Sequence, residues 1–350
     1  MSLAHGYAVH STTDPLAPFT FERRAVGADD IRIEILYSGI CHSDLHQARD
    51  DWGGAKYPMV PGHEIIGKVV EVGANVTRLK VGDFAGVGCM VDSCRHCDAC
   101  EHDLEQYCEQ GTTYTYNSTE RGSDQLTYGG YSDHIVVSER FVVKVSAKLD
   151  LKAAAPLLCA GITTYSPLRH WKVGPGQKVG VIGLGGLGHM GVKFAKALGA
   201  HVVMITTTPE KGADAKRLGA DEVLVSRDAA QMKAHANSFD FLLNTVPVSH
   251  DTNPYLTLLK RDATMCLAGV LTALEPALMG GSVIFGRKHV TGSAIGGMAE
   301  TQEMMDFCAE HGIVSDVEII DIQNVNEAWE RMQKNDVRYR FVIDMASIRA

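Results

Sequence analysis

Residues 178–191 read KVGVIGLGGLGHMG. The apolar run KVGVIG predicts a strand, and GGLGHMGVKFAKALGA then carries helical periodicity as far as Gly199. In the turn between them Gly183, Gly185 and Gly188 spell G-x-G-x-x-G. That pattern says little alone, because glycine-rich turns are common; between a strand and a helix it gains a physical meaning. Glycine allows the tight turn and lets backbone approach a pyrophosphate closely, while the helix N-terminus adds partial positive charge. Gly183, Gly185, Gly186, Leu187 and Gly188 are therefore expected to bind a dinucleotide.

Downstream, HVVMITT predicts a second strand, PEKGADAKRLG a helix and EVLVS a third strand. FDFLLNTV and MCLAGV add further strands, and the alternation runs to GSAIGG near residue 297. Strands and helices alternating at this length mean βαβ units on a parallel sheet. The end of the second strand bears on the cofactor. An NAD site commonly places Asp or Glu there to bind the ribose hydroxyls. This chain has Thr206, Thr207 and Thr208, followed by Lys211. Hydroxyls and an ammonium suit a 2′-phosphate that no carboxylate repels, although Glu210 could compete for Lys211. NADP(H) is expected over NAD(H).

Residues 1 to about 150 have a different texture. In DDIRIEILYSGI, Ile31, Ile33, Ile35 and Tyr37 alternate with other residues, as in a half-buried strand. Short segments of the same kind recur at IIGKVVEVG, YSDHIVVS and FVVKV, which predicts a β-rich, barrel-like domain. The tail offers helix, strand, helix and strand (TQEMMDFCAEHG, VEIIDI, NVNEAWERMQKND, YRFVIDM). Periodicity leaves open whether it extends the parallel sheet or folds back onto the first domain.

At 350 residues two domains are expected. The formal charge of −9, with no basic run, argues against nucleic acid and anionic membranes as partners. No stretch of 18 apolar residues predicts a membrane helix, and the N-terminus lacks the features of a signal peptide. A cytoplasmic, reducing setting is expected, where clustered cysteines hold metal more often than disulfides.

Two groups of residues have metal-ligand character. SCRHCDACEHDLEQYC contributes Cys94, Cys97, Cys100 and Cys108 in the spacing C-x₂-C-x₂-C-x₇-C. Four thiolates leave no open coordination position, so a zinc held there is structural. A ferredoxin-type iron–sulfur run would end C-x₃-C-P instead. The second group is scattered. SGICHSDLHQ holds Cys41, His42, Ser43, Asp44 and His46; YPMVPGHEIIG holds His63 and Glu64; AAAPLLCAGIT holds Cys159. Singly, each has a bland reading as a core or hydrogen-bonded residue. Together, Cys41, His63 and Cys159 make the Cys₂His set with one open position that catalytic zinc uses in alcohol dehydrogenases.

With GICHSDLH, GHEIIGKVVEVG, CRHCDACEHDLEQYC, PLLCAGITTY, GLGGLGH and GSAIGG in this order, nearly the whole chain resembles the medium-chain, zinc-dependent alcohol dehydrogenases. The resemblance is to the branch of cinnamyl alcohol dehydrogenases and bacterial NADPH-dependent aldehyde reductases. It implies an α/β protein: a GroES-like catalytic domain (1–152 and 291–350, zinc lobe at 93–109) and a doubly wound Rossmann domain (153–290). It also implies two zinc ions per chain, NADP(H), hydride transfer between a primary alcohol and an aldehyde, and a homodimer paired through the Rossmann sheets. Cys41, His63 and Cys159 match the catalytic zinc ligands, Glu64 a carboxylate beside the metal and Asp44 a partner orienting the ligand histidine. Ser43 and His46 match a proton relay, and His42 is expected to face the cofactor phosphates. Trp52, Tyr114 and Ile295, with Tyr116, are candidates for an aromatic or medium-chain substrate pocket. The alternative on the same scaffold is a zinc-free quinone reductase, against which the Cys₂His set counts.

Overall fold

The alternating run at residues 30–39 becomes the strand Asp30–Gly39, with Ile31, Ile33 and Ile35 buried. The computed structural model describes residues 1–349, in two units: Met1–Cys159 with Gly296–Ala350, and Ala160–Ile295.

In the first unit Asp30–Gly39 is the hub of the main sheet. Along one edge it pairs antiparallel with Ile65–Val72, which continues to Phe84–Val87 and Val143–Lys144. Its other edge is shared: Asp30–Glu34 pairs with His134–Ser138, and Tyr37–Gly39 with Arg340–Asp344. Register shifts between Arg32 and Ile33 and between Ile35 and Tyr37 bend the strand so that it can serve both partners. The C-terminal segment thus folds back onto this unit. Its helix Met298–His311 is followed by Val317–Asp321, helix Val325–Gln333 and Arg340–Asp344, and the two strands pair in parallel. No lone 3.6- or 2-residue period could settle that choice, because the partner strand is 300 residues upstream.

The second unit carries six parallel strands: Lys178–Ile182, His201–Thr206, Glu222–Val225, Phe239–Asn244, Leu259–Leu267 and His289–Gly292. Numbered in chain order they lie 3-2-1-4-5-6, the doubly wound order of dinucleotide-binding sheets. Ile182, Val203, Leu224, Phe239, Leu242 and Met265 fill the core. Burying each such side chain contributes roughly 1.5–3 kcal/mol.

Both unit boundaries fall C-terminal of the expected 152/153 and 290/291. The short helix Leu151–Ala154 and the 3₁₀ turn Ala155–Leu158 pack on strands of the first unit, with Leu157 and Leu158 buried there. Cys159, at the end of that turn, therefore belongs with the first unit and not with the Rossmann unit.

The glycine turn is built as its sequence requires. Gly183 has φ +92°, which favours glycine, and the helix Gly188–Ala197 starts directly after the turn. A methyl on Gly188 would sit 1.8 Å from the Gly183 carbonyl oxygen, so no other residue fits without moving backbone. Gly188→Ala should therefore cost about 3 kcal/mol of stability and weaken dinucleotide binding at least tenfold. Thermal unfolding and a cofactor fluorescence titration check this; an unchanged melting temperature and affinity would refute it.

Candidate active site

Strand register brings the scattered ligands together. Ser38 pairs with Ile65, so Cys41, two residues beyond one strand, lies beside His63, two residues before the other. Gly39 N–H donates to the Glu64 carbonyl at 2.9 Å, and Ile40 N–H to that of Phe341 at 2.9 Å. Pairing of Val342 with Gly39 sets Arg340 alongside the same corner. The turn ending at Cys159 closes over it.

One ligand atom from each of Cys41, His63, Glu64 and Cys159 lies within 4.8 Å of the other three. The Cys41 and Cys159 sulfurs are 3.9 Å apart. Two thiolates on one tetrahedral zinc, at Zn–S of about 2.3 Å, stand about 3.8 Å apart. The donor set and its spacing thus fit the ion. The two thiols act as a coupled pair: the hydrogen bond from Cys159, aided by the charges of Arg340 and His63, holds Cys41 well below the ordinary thiol range, while Cys159 is pushed up.

Asp44 is fully buried and saturated with donors. It accepts from Cys41 N–H at 2.9 Å, Gly62 N–H at 3.1 Å and the Tyr131 hydroxyl at 3.1 Å, and lies 3.0 Å from His63 Nδ1. Burial disfavours a charged His63, but the Asp44 carboxylate outweighs it and holds the imidazole well above its ordinary pKa. The same contact fixes the proton on Nδ1 and leaves Nε2 for a metal.

Glu64 is also fully buried, and its Oε1 pairs with Arg340. Burial pushes this carboxyl up to about 8, with the Arg340 guanidinium pulling the other way. Its Oε2 has no hydrogen-bond partner, an unusual state for a buried carboxylate and one that a nearby cation would relieve. A Cβ on Gly39 would lie 2.0 Å from Oε2, so glycine is what leaves room for the carboxylate.

The remaining candidates are spread more widely. Ser43, His42 and His46 lie on the helix His42–Ala48. Ser43 Oγ is 3.6 Å from Cys41 Sγ. His46 Nδ1 is 2.7 Å from Asp51 Oδ2, and its ring lies 5.1 Å from that of Trp52. His42 is half-buried, which lowers its pKa, and it bonds the backbone of Met332. Tyr114 is half exposed, whereas Tyr116 is buried and stacks on His63 at 5.8 Å. Tyr116, more than Tyr114, is the tyrosine at the metal corner. Ile295 is half-buried in the second unit with φ 40°, a strained value for a β-branched residue.

In the Rossmann unit Thr206 is buried and its hydroxyl accepts from Thr208 N–H at 3.1 Å, so it serves the turn. Thr207 is exposed, with its hydroxyl 3.4 Å from that of Thr208. Lys211 Nζ donates to the Leu184 carbonyl at 3.1 Å, which brings an ammonium to the glycine turn; among the described residues it forms no ion pair with Glu210. A Cβ on Gly185 would meet nothing within 4 Å, so the protein itself does not demand glycine there. A ligand lying against that backbone would.

The four-cysteine lobe is a second cluster within the first unit. One sulfur from each of Cys94, Cys97, Cys100 and Cys108 lies within 4.8 Å of the others. Backbone N–H groups of Cys97, Cys94 and Glu109 point at three of the sulfurs at 3.3–3.4 Å, as suits thiolates. His96 and His102 turn instead to the carbonyls of Cys94 and Asp98. The lobe has little apolar filling beyond its own cysteines and Ala99.

Three residues at these sites escaped the sequence reading. Arg340 signalled itself only as a charge in the apolar strand RFVID, and Tyr131 gave no signal. Cys89 is a further thiol that hydrogen-bonds Cys159.

Two zinc ions per chain and no iron absorption in the visible region are the expected elemental result. Asp44→Asn puts amide N–H groups where acceptors are needed, and should lower affinity at the Cys41–His63–Cys159 set about 10–100-fold. After dialysis against a chelator the variant should keep one zinc per chain; retention of two would refute the role of Asp44.

Comparison with known proteins agrees with this geometry. Residues 27–147 match the family described as alcohol dehydrogenase GroES-like domain, and residues 186–310 that of zinc-binding dehydrogenase. Aldehyde reductase YahK of Escherichia coli is 56% identical over 336 residues, 96% of each chain. NADP-dependent alcohol dehydrogenase C 1 of Mycolicibacterium smegmatis is 52% identical over the full length of both. Among solved structures, a cinnamyl alcohol dehydrogenase from Sorghum bicolor superposes with a TM-score of 0.94 at 48% identity, covering 99% of this chain and 98% of that one. The Helicobacter pylori enzyme described as CAD complexed with NADP(H) gives 0.90 at 40% identity, covering 98% of each. The chain belongs to the medium-chain, zinc-dependent alcohol dehydrogenase family.

Proposed function

We propose that this protein is an NADP(H)-dependent alcohol dehydrogenase acting chiefly as an aldehyde reductase, with aromatic or medium-chain aldehydes and primary alcohols as substrates. The observation that carries the reading is the convergence of Cys41, His63 and Cys159, with His63 locked by Asp44. A zinc-free quinone reductase would have no use for that set.

Cys41, Cys159 and His63 Nε2 would hold the ion, which when bound supplies Lewis-acid polarisation of a carbonyl or hydroxyl oxygen. Asp44 and Tyr131 keep the ligands in place, and Arg340 anchors Glu64 through Oε1, leaving Oε2 without a hydrogen-bond partner and so available to a cation. Ser43 Oγ, beside Cys41, is placed to donate a proton to the oxygen of the reduced product. His46, three residues on and partly exposed, exchanges that proton with water, its Nδ1 held by Asp51. In alcohol oxidation the same groups carry the proton outward. Trp52, packed beside His46, offers an aromatic wall, and Tyr116 a second ring against His63.

Lys211, Thr207 and Thr208, at a strand end without a carboxylate, support a 2′-phosphate and hence NADP(H). The relatives named NADP-dependent, and the CAD structure complexed with NADP(H), favour the same cofactor. No helix among the described residues is long and apolar enough to cross a membrane. Nine free thiols, six of them in the two clusters, fit a reducing compartment such as the cytoplasm.

A homodimer also belongs to this reading. His289–Gly292 is an edge strand with one side unpaired, and Met279, Ile284 and Phe285 nearby in sequence are 63%, 74% and 95% exposed. An open edge with large apolar side chains in the same unit suits pairing with a second copy.

With cinnamaldehyde or benzaldehyde, kcat/KM for NADPH should exceed that for NADH, and Lys211→Ala should narrow the ratio about tenfold by raising KM for NADPH. Equal or reversed values in the wild type would overturn the cofactor assignment. Phe285→Asp should convert the dimer to monomers in sedimentation; an unchanged dimer would place the interface elsewhere.

A further inference from the structure

In the second unit the fourth strand, Phe239–Asn244, stands beside the first, Lys178–Ile182, where the order 3-2-1-4-5-6 reverses. The carboxyl end of the fourth strand is pinned from both sides. Thr245 N–H donates to the Ile182 carbonyl at 3.0 Å, and Thr245 Oγ1 to the carbonyls of Ile182 and Gly183 at 2.8 and 3.0 Å. From the fifth strand's end, Ala268 N–H donates to the Asn244 carbonyl at 2.9 Å, and a Cβ on Gly269 would lie 2.6 Å from the Thr245 carbonyl oxygen. Val246 abuts the glycine turn: a Cβ on Gly183 would lie 3.1 Å from its Cγ2.

Beyond Val246 the backbone no longer supports itself. Residue 247 is proline, and the N–H groups of Val248, Ser249, His250 and Asp251 donate to no acceptor among the described residues. Side chains close this segment instead. Asn244 is 1% exposed; its Oδ1 accepts from Val246 N–H at 3.2 Å, and its Nδ2 lies 2.9 Å from His250 Nε2. His250 Nδ1 lies 2.7 Å from the Val248 carbonyl. The two ends of this relay fix every role in it. A backbone N–H only donates and a carbonyl only accepts, so the Asn244 oxygen faces Val246, its amide N–H donates to Nε2, and the Nδ1 hydrogen goes to Val248. The half-buried imidazole also meets the Tyr255 ring at 6.2 Å, and Ser249 Oγ accepts from Glu275 N–H at 2.9 Å. Among the described residues, the Asn244–His250 bond is the one side-chain bond tying residues 248–250 to the fourth strand.

We propose that His250 is a positioning residue for the nicotinamide half of the cofactor: acting through Asn244, it holds residues 246–250 in the shape that receives that half. The inference rests on the NADP(H) reading of this unit. In a doubly wound sheet the two mononucleotide halves of the ligand lie on either side of the order reversal. The glycine turn after the first strand, with Thr207 and Lys211 after the second, takes the adenosine half. The ends of the fourth to sixth strands are left for the nicotinamide half. Removing the imidazole strands the buried Asn244 amide N–H and releases the segment that follows it.

The test sets two amide variants of the zinc-loaded enzyme against the wild type. The His250→Asn side chain can still donate to the Val248 carbonyl but is too short to reach Asn244, whereas that of His250→Gln reaches it. NADPH and adenosine 2′,5′-bisphosphate, which carries the adenosine half alone, are titrated calorimetrically. His250→Asn should weaken NADPH binding about tenfold and leave the bisphosphate unaffected, and His250→Gln should bring NADPH back to within about twofold of the wild type. Unchanged NADPH affinity in His250→Asn would overturn the proposal. So would equal losses for both ligands, which mark a general loosening of the sheet, or a glutamine variant no better than the asparagine one. A wild type that binds neither ligand would remove the cofactor reading, and this inference with it.

Discussion

A buried carboxylate with every lone pair engaged organises the active-site corner. Asp44 receives two backbone N–H groups, a tyrosine hydroxyl and the imidazole of His63. A charge so far from water is tolerable only when its hydrogen bonds are complete, and hydrogen bonds to a charged group contribute roughly 1.5–3 kcal/mol each. The donors come from three separate segments: the start of the helix His42–Ala48, the Gly62–His63 turn and Tyr131. Satisfying Asp44 therefore means assembling the corner, and the ligand geometry follows from that.

Glu64 and Arg340 extend the same logic to the chain ends. Their ion pair is buried, and one partner lies near residue 64 and the other near the C-terminus. Removing either would strand a charge in a dry site, which costs far more than the pair itself contributes. The pair thus requires the C-terminal strand to close on Asp30–Gly39, and holds Glu64 in the same cluster as the Cys41 and Cys159 sulfurs with one carboxylate oxygen free of hydrogen bonds. Structural closure and chemical readiness come from one contact. The four-cysteine lobe works in the opposite way: with almost no apolar core, it relies on metal–thiolate bonds and N–H···S contacts to hold a loop in shape.

Much of this was legible in the chain. The strand–glycine turn–helix of residues 178–197 announced a doubly wound sheet, because the requirements of Gly183 and Gly188 are local: a positive φ and a 1.8 Å approach to backbone. The four clustered cysteines were legible for the same reason, their ligands lying within fifteen residues. Cys41, His63 and Cys159 were recognisable as a set only through their motifs and the family likeness, since each alone resembles an ordinary core residue. Thr206 illustrates what the local pattern leaves open: it ends its strand, its hydroxyl accepts from Thr208 N–H, and Lys211 reaches the Leu184 carbonyl of the glycine turn.

What the sequence determined by itself is what short-range physics controls: strand and helix periods, the glycine turn, the closed four-thiolate site and the absence of an acid after the second nucleotide-fold strand. What only the tertiary structure decided is long-range. The register Ser38↔Ile65 and Gly39↔Val342 set His63, Glu64 and Arg340 beside Cys41, and the 151–159 turn carried Cys159 to the same unit. Pairing across 300 residues leaves no local period to read, because its energy resides in contacts that exist only once the strands have met.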